Sequence, residues 1–288
     1  MLVPYPPARL RRNFAIMAGN VRTMKASARF AFLLALAAAP VAAAPAKPPA
    51  ALTTPVTHYA LKIVKVFPHD PDAFTEGLFY DRGTLYESTG RNGTSYIRQV
   101  NLDTGSVMRQ VQVDSQYFGE GIAPWNGHIV SLTWQTGKGF VWNQSDFKLK
   151  SSFAYKGEGW GMTGNAKNLI MSDGTPALKF LDPTTLKVVK TVNVTYNGKP
   201  IDQVNELEWV DGEILANIWR TRTIVRIDPA SGRVDGLIDL SALPEVTSPP
   251  SDPDAVPNGI AFDPVSHRIF VTGKLWSHLY QVELVKQP

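Results

Sequence analysis

GIAPWNGHIVSLTWQTGKGFVWNQSDFKLKSSFAY, residues 121–155, holds four short apolar or alternating runs: 121–125, 128–134, 139–142 and 148–155. Asn126-Gly127 and two polar stretches separate them. Runs of this length, broken by Gly, Asn and Asp, predict antiparallel strands joined by tight turns. The grouping recurs on both sides. Upstream lie 77–80, 84–88, 95–102 and 106–113; downstream lie 160–164, 168–172, 177–181 and 187–194, then 205–210, 213–219, 223–227 and 233–240. A last group has only three runs, 259–262, 268–272 and 278–284. The turn between third and fourth runs repeats a signature: Leu102-Asp103-Thr104-Gly105, Leu181-Asp182-Pro183-Thr184 and Ile227-Asp228-Pro229-Ala230. Asp opens such turns, and Pro or Gly presets their dihedrals.

Four strands repeated about every 40 to 50 residues predict an all-β fold, a five-bladed β-propeller. The run 58–67, HYALKIVKVF, alternates and precedes the first complete group. It supplies the strand that the last blade lacks and closes the ring, so that no sheet edge stays open there. Two β-sandwiches would need a linker, and no such break divides the region. The stretch 247–257, rich in Pro, reads as a long connection before the last blade.

The chain has 288 residues, 29 Lys+Arg, 25 Asp+Glu and no Cys. Six of the bases and none of the acids lie in 1–46, so the remainder carries 23 bases and 25 acids, a net −2. The basic character belongs to the leader, and nothing concentrates a phosphate-binding face elsewhere, so nucleic acid is not expected as a partner. The absence of Cys excludes disulfides, a thiol nucleophile and thiolate metal sites. Residues 1–46 read as a signal segment: bases up to Arg29, an apolar run 30–39, then Ala-rich sequence with cleavage after Ala43 or Ala46. Met24 offers a second start. The apolar run is short for a membrane span, although an anchored N-terminus is the alternative. Residues 47–57 read as a Pro/Ala-rich spacer, and 58–288 as the propeller. The expectation is an exported protein, periplasmic or secreted, monomeric and without stable membrane association once the leader is removed.

In a propeller the start of each first strand and the end of each second strand open on one face. The starts supply Phe74, Glu76, Phe118, Glu120, Trp160, Asn205, Glu206 and Asn258; the ends supply Glu87, Ser88, Trp134, Ser172, Asp173, Trp219 and Lys274. One mouth of the channel therefore gathers aromatics, carboxylates, amides and a Lys, the usual composition of a small-ligand pocket. Singly, the aromatics also suit packing between blades, and Lys274 a buried ion pair. The five His show neither HExxH nor H-x-H spacing and none falls on this list, which argues against a His-based zinc site or a Ser-His-Asp triad. No P-loop or dinucleotide fingerprint is present. A structural Ca²⁺ held by carbonyls and acids stays open.

The motifs FTEGL (74–78), LYESTG (85–90), FGEGI (118–122), GEGWGMT (157–163), SDGT (172–175), NELEW (205–209), ANIW (216–219), NGIAFD (258–263) and VTGKLW (271–276) resemble the plant and bacterial glutaminyl-peptide cyclotransferases. The resemblance runs in order over about residues 58–285. It implies a five-bladed propeller that cyclises N-terminal Gln of peptides and proteins to pyroglutamate and releases ammonia, with no cofactor required. It implies Glu120 as catalytic acid/base and Asn205 and Lys274 as polar active-site residues. It implies Phe118, Trp134, Trp160 and Trp219 as aromatic walls, with Phe74 and Glu76 as the first-blade pair. Glu76 departs from the plant type, which carries Gln there. On the residues alone, two other readings stay open: a metal-dependent propeller lactonase or esterase, and a non-catalytic binding propeller of the cell envelope.

Overall fold

The computed structural model describes residues 55–248 and 250–288; the expected signal segment and most of the spacer lie outside the described residues. The predicted runs form strands with small shifts at their ends. The first group is Thr75–Asp81, Thr84–Thr89, Tyr96–Asn101 and Val107–Gln112. The second is Gly119–Trp125, His128–Thr133, Lys138–Asn143 and Leu149–Ala154. The third is Met162–Gly164, Leu169–Met171, Ala177–Leu181 and Val188–Asn193. The fourth is Val204–Val210, Glu213–Ile218, Thr223–Ile227 and Val234–Asp239. The last is Pro257–Asp263, Arg268–Gly273 and His278–Lys286. Each group is an antiparallel meander. Together they make a β-propeller.

Burial explains the sequence pattern. The first two strands of a group are buried on both faces, so they read as nearly continuous apolar runs. The fourth strands of the first three groups, Val107–Gln112, Leu149–Ala154 and Val188–Asn193, are exposed along most of their length, whereas Val234–Asp239 is covered by the N-terminal strand. The first strands neighbour one another in a closed cycle, each beside the next and Pro257–Asp263 beside Thr75–Asp81. Apolar clusters fill the gaps between successive sheets. Phe79 and Tyr86 meet Ile122, Ile129 and Phe140. Val130 and Leu132 meet Met162 and Leu169. Phe180 and Val192 meet Leu207 and Ile214. Leu215 and Ile224 meet Ile260 and Val271.

The strand Thr57–Pro68 pairs antiparallel with His278–Lys286, from Tyr59 opposite Lys286 to Pro68 opposite His278. Its first residues also pair in parallel with Val234–Asp239, which joins the fourth and last groups into one eight-stranded sheet. Its Phe67 enters the cluster between the last and first groups, with Leu78, Leu85, Val100 and Phe270.

Three features depart from the sequence reading. The third first strand begins at Met162 instead of residue 160. Trp160 and Gly161 both bond the Ser172 backbone, and the Gly161 N–H goes to the Ser172 hydroxyl at 2.8 Å, so the regular ladder starts one residue later. A small hairpin, Thr195–Tyr196 with Lys199–Pro200, turns at Asn197-Gly198, both at positive φ. That dipeptide is a hairpin signal in its own right. A four-residue helix, Pro244–Thr247, opens the long connection to the last group. No helix among the described residues is long and apolar enough to cross a membrane.

Phe67 is 2% exposed and edge-on to Phe270 at 6.0 Å. Phe67→Ala should cost about 3–5 kcal/mol of unfolding free energy, as for other buried Phe truncations, measured by urea denaturation. A loss below about 1 kcal/mol would mean that the N-terminal strand is not part of the cooperative fold.

Candidate active site

Four of the five first strands carry a register shift at the same place: between Thr75 and Gly77, Gly119 and Ile122, Val204 and Leu207, and Pro257 and Ile260. Each shift inserts one extra residue opposite the second strand, a β-bulge, which re-aims side chains at a strand end. The bulged positions include Glu76, Glu120, Asn205 and Asn258. Hydroxyls at the ends of second strands fix two of them: Ser88 Oγ donates to the Glu120 carbonyl at 2.5 Å, and Ser172 Oγ to the Asn205 carbonyl at 2.7 Å.

Glu76, Glu120 and Lys274 meet in one buried cluster. Lys274 Nζ donates to Glu76 Oε1 at 2.6 Å, and both side chains are almost fully enclosed. Asn258 Nδ2 reaches Glu76 Oε2 at 3.3 Å and the Thr75 carbonyl at 2.9 Å. Glu76 and Glu120 share a side-chain hydrogen bond. Burial pushes the Glu120 carboxyl well above the usual range, and the neighbouring Glu76 charge adds to it; Lys274 offsets only part. Burial raises Glu76 too, and Lys274 pulls it back. Of two carboxyls in contact, one keeps its proton. Here Glu120 holds the proton and donates it to Glu76, whose charge Lys274 neutralises. The Asn205 amide oxygen is buried and has no hydrogen-bond partner among the described residues.

Aromatic rings wall the cluster. Phe74 is edge-on to Phe118 at 6.1 Å, and Phe118 lies 5.6 Å from Trp134. Trp160 is edge-on to Trp219 at 5.6 Å. Lys274 Nζ sits 4.6 Å from the centre of the Phe74 ring. Arg91 and Arg220 cover the Phe74 and Trp219 rings at 4.3 and 4.4 Å, and pair with Asp252 and Asp254 of the long connection. Gly174, at φ +77°, lies so close to Trp160 that a Cβ would come within 2.6 Å of the indole, so only Gly fits there.

Of the nine residues expected in the site, Phe74, Glu76, Phe118, Glu120, Trp134 and Lys274 are therefore linked in one cluster; Trp160 and Trp219 pack on each other, and Asn205 is held by the Ser172 hydroxyl on its carbonyl. Five other residues expected at the mouth turn elsewhere. Glu206 points into the channel and accepts the Ile260 N–H at 2.9 Å and the Leu78 N–H at 3.4 Å. Asp173 pairs with Lys179 at 2.7 Å. Ser88 and Ser172 are spent on the carbonyls described above. Glu87 faces away, accepting from Thr75 Oγ1 at 2.7 Å and contacting His69 Nε2 at 3.0 Å. His69 also bonds the Trp276 carbonyl at 2.7 Å. Burial alone would lower His69, yet Glu87 raises it on balance; burial alone would raise Glu87, yet His69, Thr75 and Arg98 hold it low. Sequence reading missed Glu158, which accepts hydrogen bonds from both Trp134 and Trp160. Its signal was the acid two residues before Trp160 in GEGW. Among the described residues no group of three or more His, Asp or Glu is arranged to hold a metal.

The fold is a β-propeller whose mouth sets a buried carboxyl, Glu120, beside aromatic rings. The chain belongs to the glutamine cyclotransferase family, whose model matches residues 32–284. It is 42% identical over 228 residues to a glutaminyl-peptide cyclotransferase of Arabidopsis thaliana, across 78% of this chain and 71% of that protein. It also resembles the crystal structure of Myxococcus xanthus glutaminyl cyclase, with TM-score 0.77 and 36% identity over 81% of this chain and all of that one.

The buried His69–Glu87 pair has a definite pH signature. His69 is raised above its ordinary 6.5, so its stabilisation is complete below that value and lost as pH rises through the folded pKa. Glu87 is held below its ordinary 4.5, so its share is present above that value and lost as pH falls through the folded pKa. The stability difference between the wild type and His69→Gln should be greatest between pH 4.5 and 6.5. There it should reach about 3 kcal/mol, the cost of leaving one buried charge unpaired. A pH-independent difference in chemical denaturation would refute the charged pair.

Proposed function

We propose that this protein is a glutaminyl-peptide cyclotransferase that acts at the aromatic mouth by carboxyl acid/base catalysis. The observation that carries the reading is the protonated Glu120, buried beside a neutralised Glu76–Lys274 pair and faced by aromatic walls. Family membership and the two relatives support the reaction; the geometry supports the roles. We read the fold as five blades closed by the N-terminal strand, which keeps this mouth rigid.

The α-amine of an N-terminal Gln attacks the carbon of its own side-chain amide. A C–N bond forms and closes a five-membered lactam; the original C–N bond breaks and ammonia leaves. The nucleophile is already tethered, so the first task is holding the folded conformer, and orientation of this kind contributes several kcal/mol, of order 5 or more. The rings enclose the aliphatic stem and exclude water. An α-amine has a reference pKa of about 7.7–8.0, so a neutral fraction exists near pH 7. The harder step is the leaving group, since an amide nitrogen departs only when protonated. Glu120 delivers its proton to that nitrogen and recovers one from the attacking amine, so protons balance over the cycle. Glu76 and Lys274 act through Glu120: the pair takes up the hydrogen bond that holds the carboxyl in place. The free Asn205 amide oxygen accepts from the N–H2 of the substrate amide, and its own N–H2 end is the group that can donate to the developing oxyanion. No cofactor is required in this scheme. We further propose that the protein is exported by its leader and works as a monomer on peptides and proteins with N-terminal Gln.

The test is ammonia release from a Gln-initiated dipeptide by residues 47–288, with and without chelator. Chelator-resistant release is expected. Glu120→Gln should keep the fold and lose turnover by a factor on the order of 10²–10⁴. Near-normal turnover in that variant would overturn the assignment of Glu120, and no release by the folded wild type would overturn the function. Release abolished by chelator would move the weight to a metal-dependent reaction.

A further inference from the structure

Two runs of ring contacts contribute to the cage. Phe74, Phe118 and Trp134 form one, from the first and second sheets. Trp160 and Trp219 form the other, from the third and fourth. One side chain joins them. Glu158 Oε2 accepts the indole N–H of Trp134 at 2.9 Å and that of Trp160 at 2.9 Å. An indole has a single donor and no acceptor, so its ring orientation is fixed by whatever accepts that N–H. A carboxylate oxygen has two lone pairs and can serve both rings at once. Glu158 is itself held: Gln135 Nε2 donates to Oε1 at 3.2 Å, and the following Gly159 N–H donates to the Trp134 carbonyl at 3.0 Å. The Trp160 N–H is tied to the Ser172 carbonyl at 3.0 Å, so the backbone on both sides of Glu158 is anchored.

We propose that Glu158 is a positioning residue, which pins Trp134 and Trp160 at the mutual angle that makes one cage out of two ring pairs. The inference rests on the cyclotransferase reading for its substrate, and concerns this chain's own residues for its mechanism. A tether of this kind matters where two sheets meet, because the two tryptophans belong to different groups and the ladder bonds within each group leave their relative ring angle open. The substrate's aliphatic stem has no polar handle, so only the ring faces can select its conformer. The second effect of Glu158 is electrostatic. Its charge adds to burial and to Glu76 in favouring the protonated form of Glu120. A group that both shapes the cage and helps retain the acid proton couples binding to proton delivery.

The test uses Glu158→Gln and Glu158→Ala in residues 47–288, because the two changes separate the tether from the charge. The amide oxygen of Gln can still accept both indole N–H groups; Ala can accept neither. For Glu158→Ala, KM for a Gln dipeptide should rise about tenfold or more, from two lost hydrogen bonds. The tryptophan emission of the free enzyme should shift, with stronger acrylamide quenching. For Glu158→Gln, KM and emission should stay close to the wild type. In both variants the alkaline limb of the kcat profile should move to lower pH, because a negative charge that favours Glu120 protonation is gone. Wild-type KM and emission in Glu158→Ala would overturn the tether. A lowered melting temperature with an unmoved alkaline limb in both variants would reduce Glu158 to a structural role and overturn the coupling. If the wild type itself released no ammonia, the cyclotransferase reading would fall, while the emission and quenching arm would still decide the tether.

Discussion

The innermost strands come so close around the channel that some of their positions have no room for a side chain. A Cβ on Gly121 would lie 2.4 Å from the Met162 nitrogen, and one on Gly161 2.1 Å from the Asn205 carbonyl oxygen. Contacts that short never occur, so the backbone of one sheet packs directly on the backbone of the next. Everything else at this mouth follows from that approach. It lets Gly121 N–H donate to the Trp160 carbonyl at 2.7 Å, and it brings side chains from separate sheets within reach of one another. Channel-facing acids then bridge the sheets. Glu206 ties the first and last, and Glu208 takes the Phe262 N–H at 2.9 Å and the Thr163 hydroxyl at 3.1 Å. Burial pushes Glu208 up to about 8, so it is largely neutral at pH 7 and can sit in the channel without a counter-ion.

The bulges convert this crowding into a site. A regular ladder would send alternate residues to opposite faces and split Glu76 from Glu120 according to register. One inserted residue in each of four first strands turns the same position of those sheets toward the same mouth. The acids, amides and rings therefore converge by repetition of a backbone defect, and their precision is inherited from the ladders beneath them. The His69–Glu87 contact adds a second layer. It links the end of the N-terminal strand, the last sheet and the residue that precedes Glu76.

Electrostatically the mouth is a sequence of neutralised charges. Lys274 answers Glu76, and Glu120 is pushed toward its protonated form by burial first and by the Glu76 charge second. Arg91 and Arg220 answer Asp252 and Asp254 while covering two of the wall rings. Burying one carboxyl in this manner is costly in isolation and is tolerated only because hydrogen bonds and a counter-charge meet it on every side.

The sequence alone determined the four-strand repeat, the turn chemistry and the set of residues at strand ends, because alternation and turn residues are local and each strand prints its own pattern. It also offered, through the resemblance, nine candidate residues for a site. It did not reveal that Glu206 would serve the channel, that Glu87 would face His69, or that Asn197-Gly198 closes its own hairpin. For Glu206 the reason is the bulge between Val204 and Leu207, whose place the partner strand decides; for Glu87 it is a partner, His69, that comes from a distant segment; Asn197-Gly198 carried its own hairpin signal, absorbed into a longer connection. Nor did it mark Glu158, whose role exists only because two tryptophans from different sheets aim their N–H groups at one oxygen. The protonation of Glu120 is likewise a tertiary fact, since it depends on burial and on a neighbour 44 positions away in sequence.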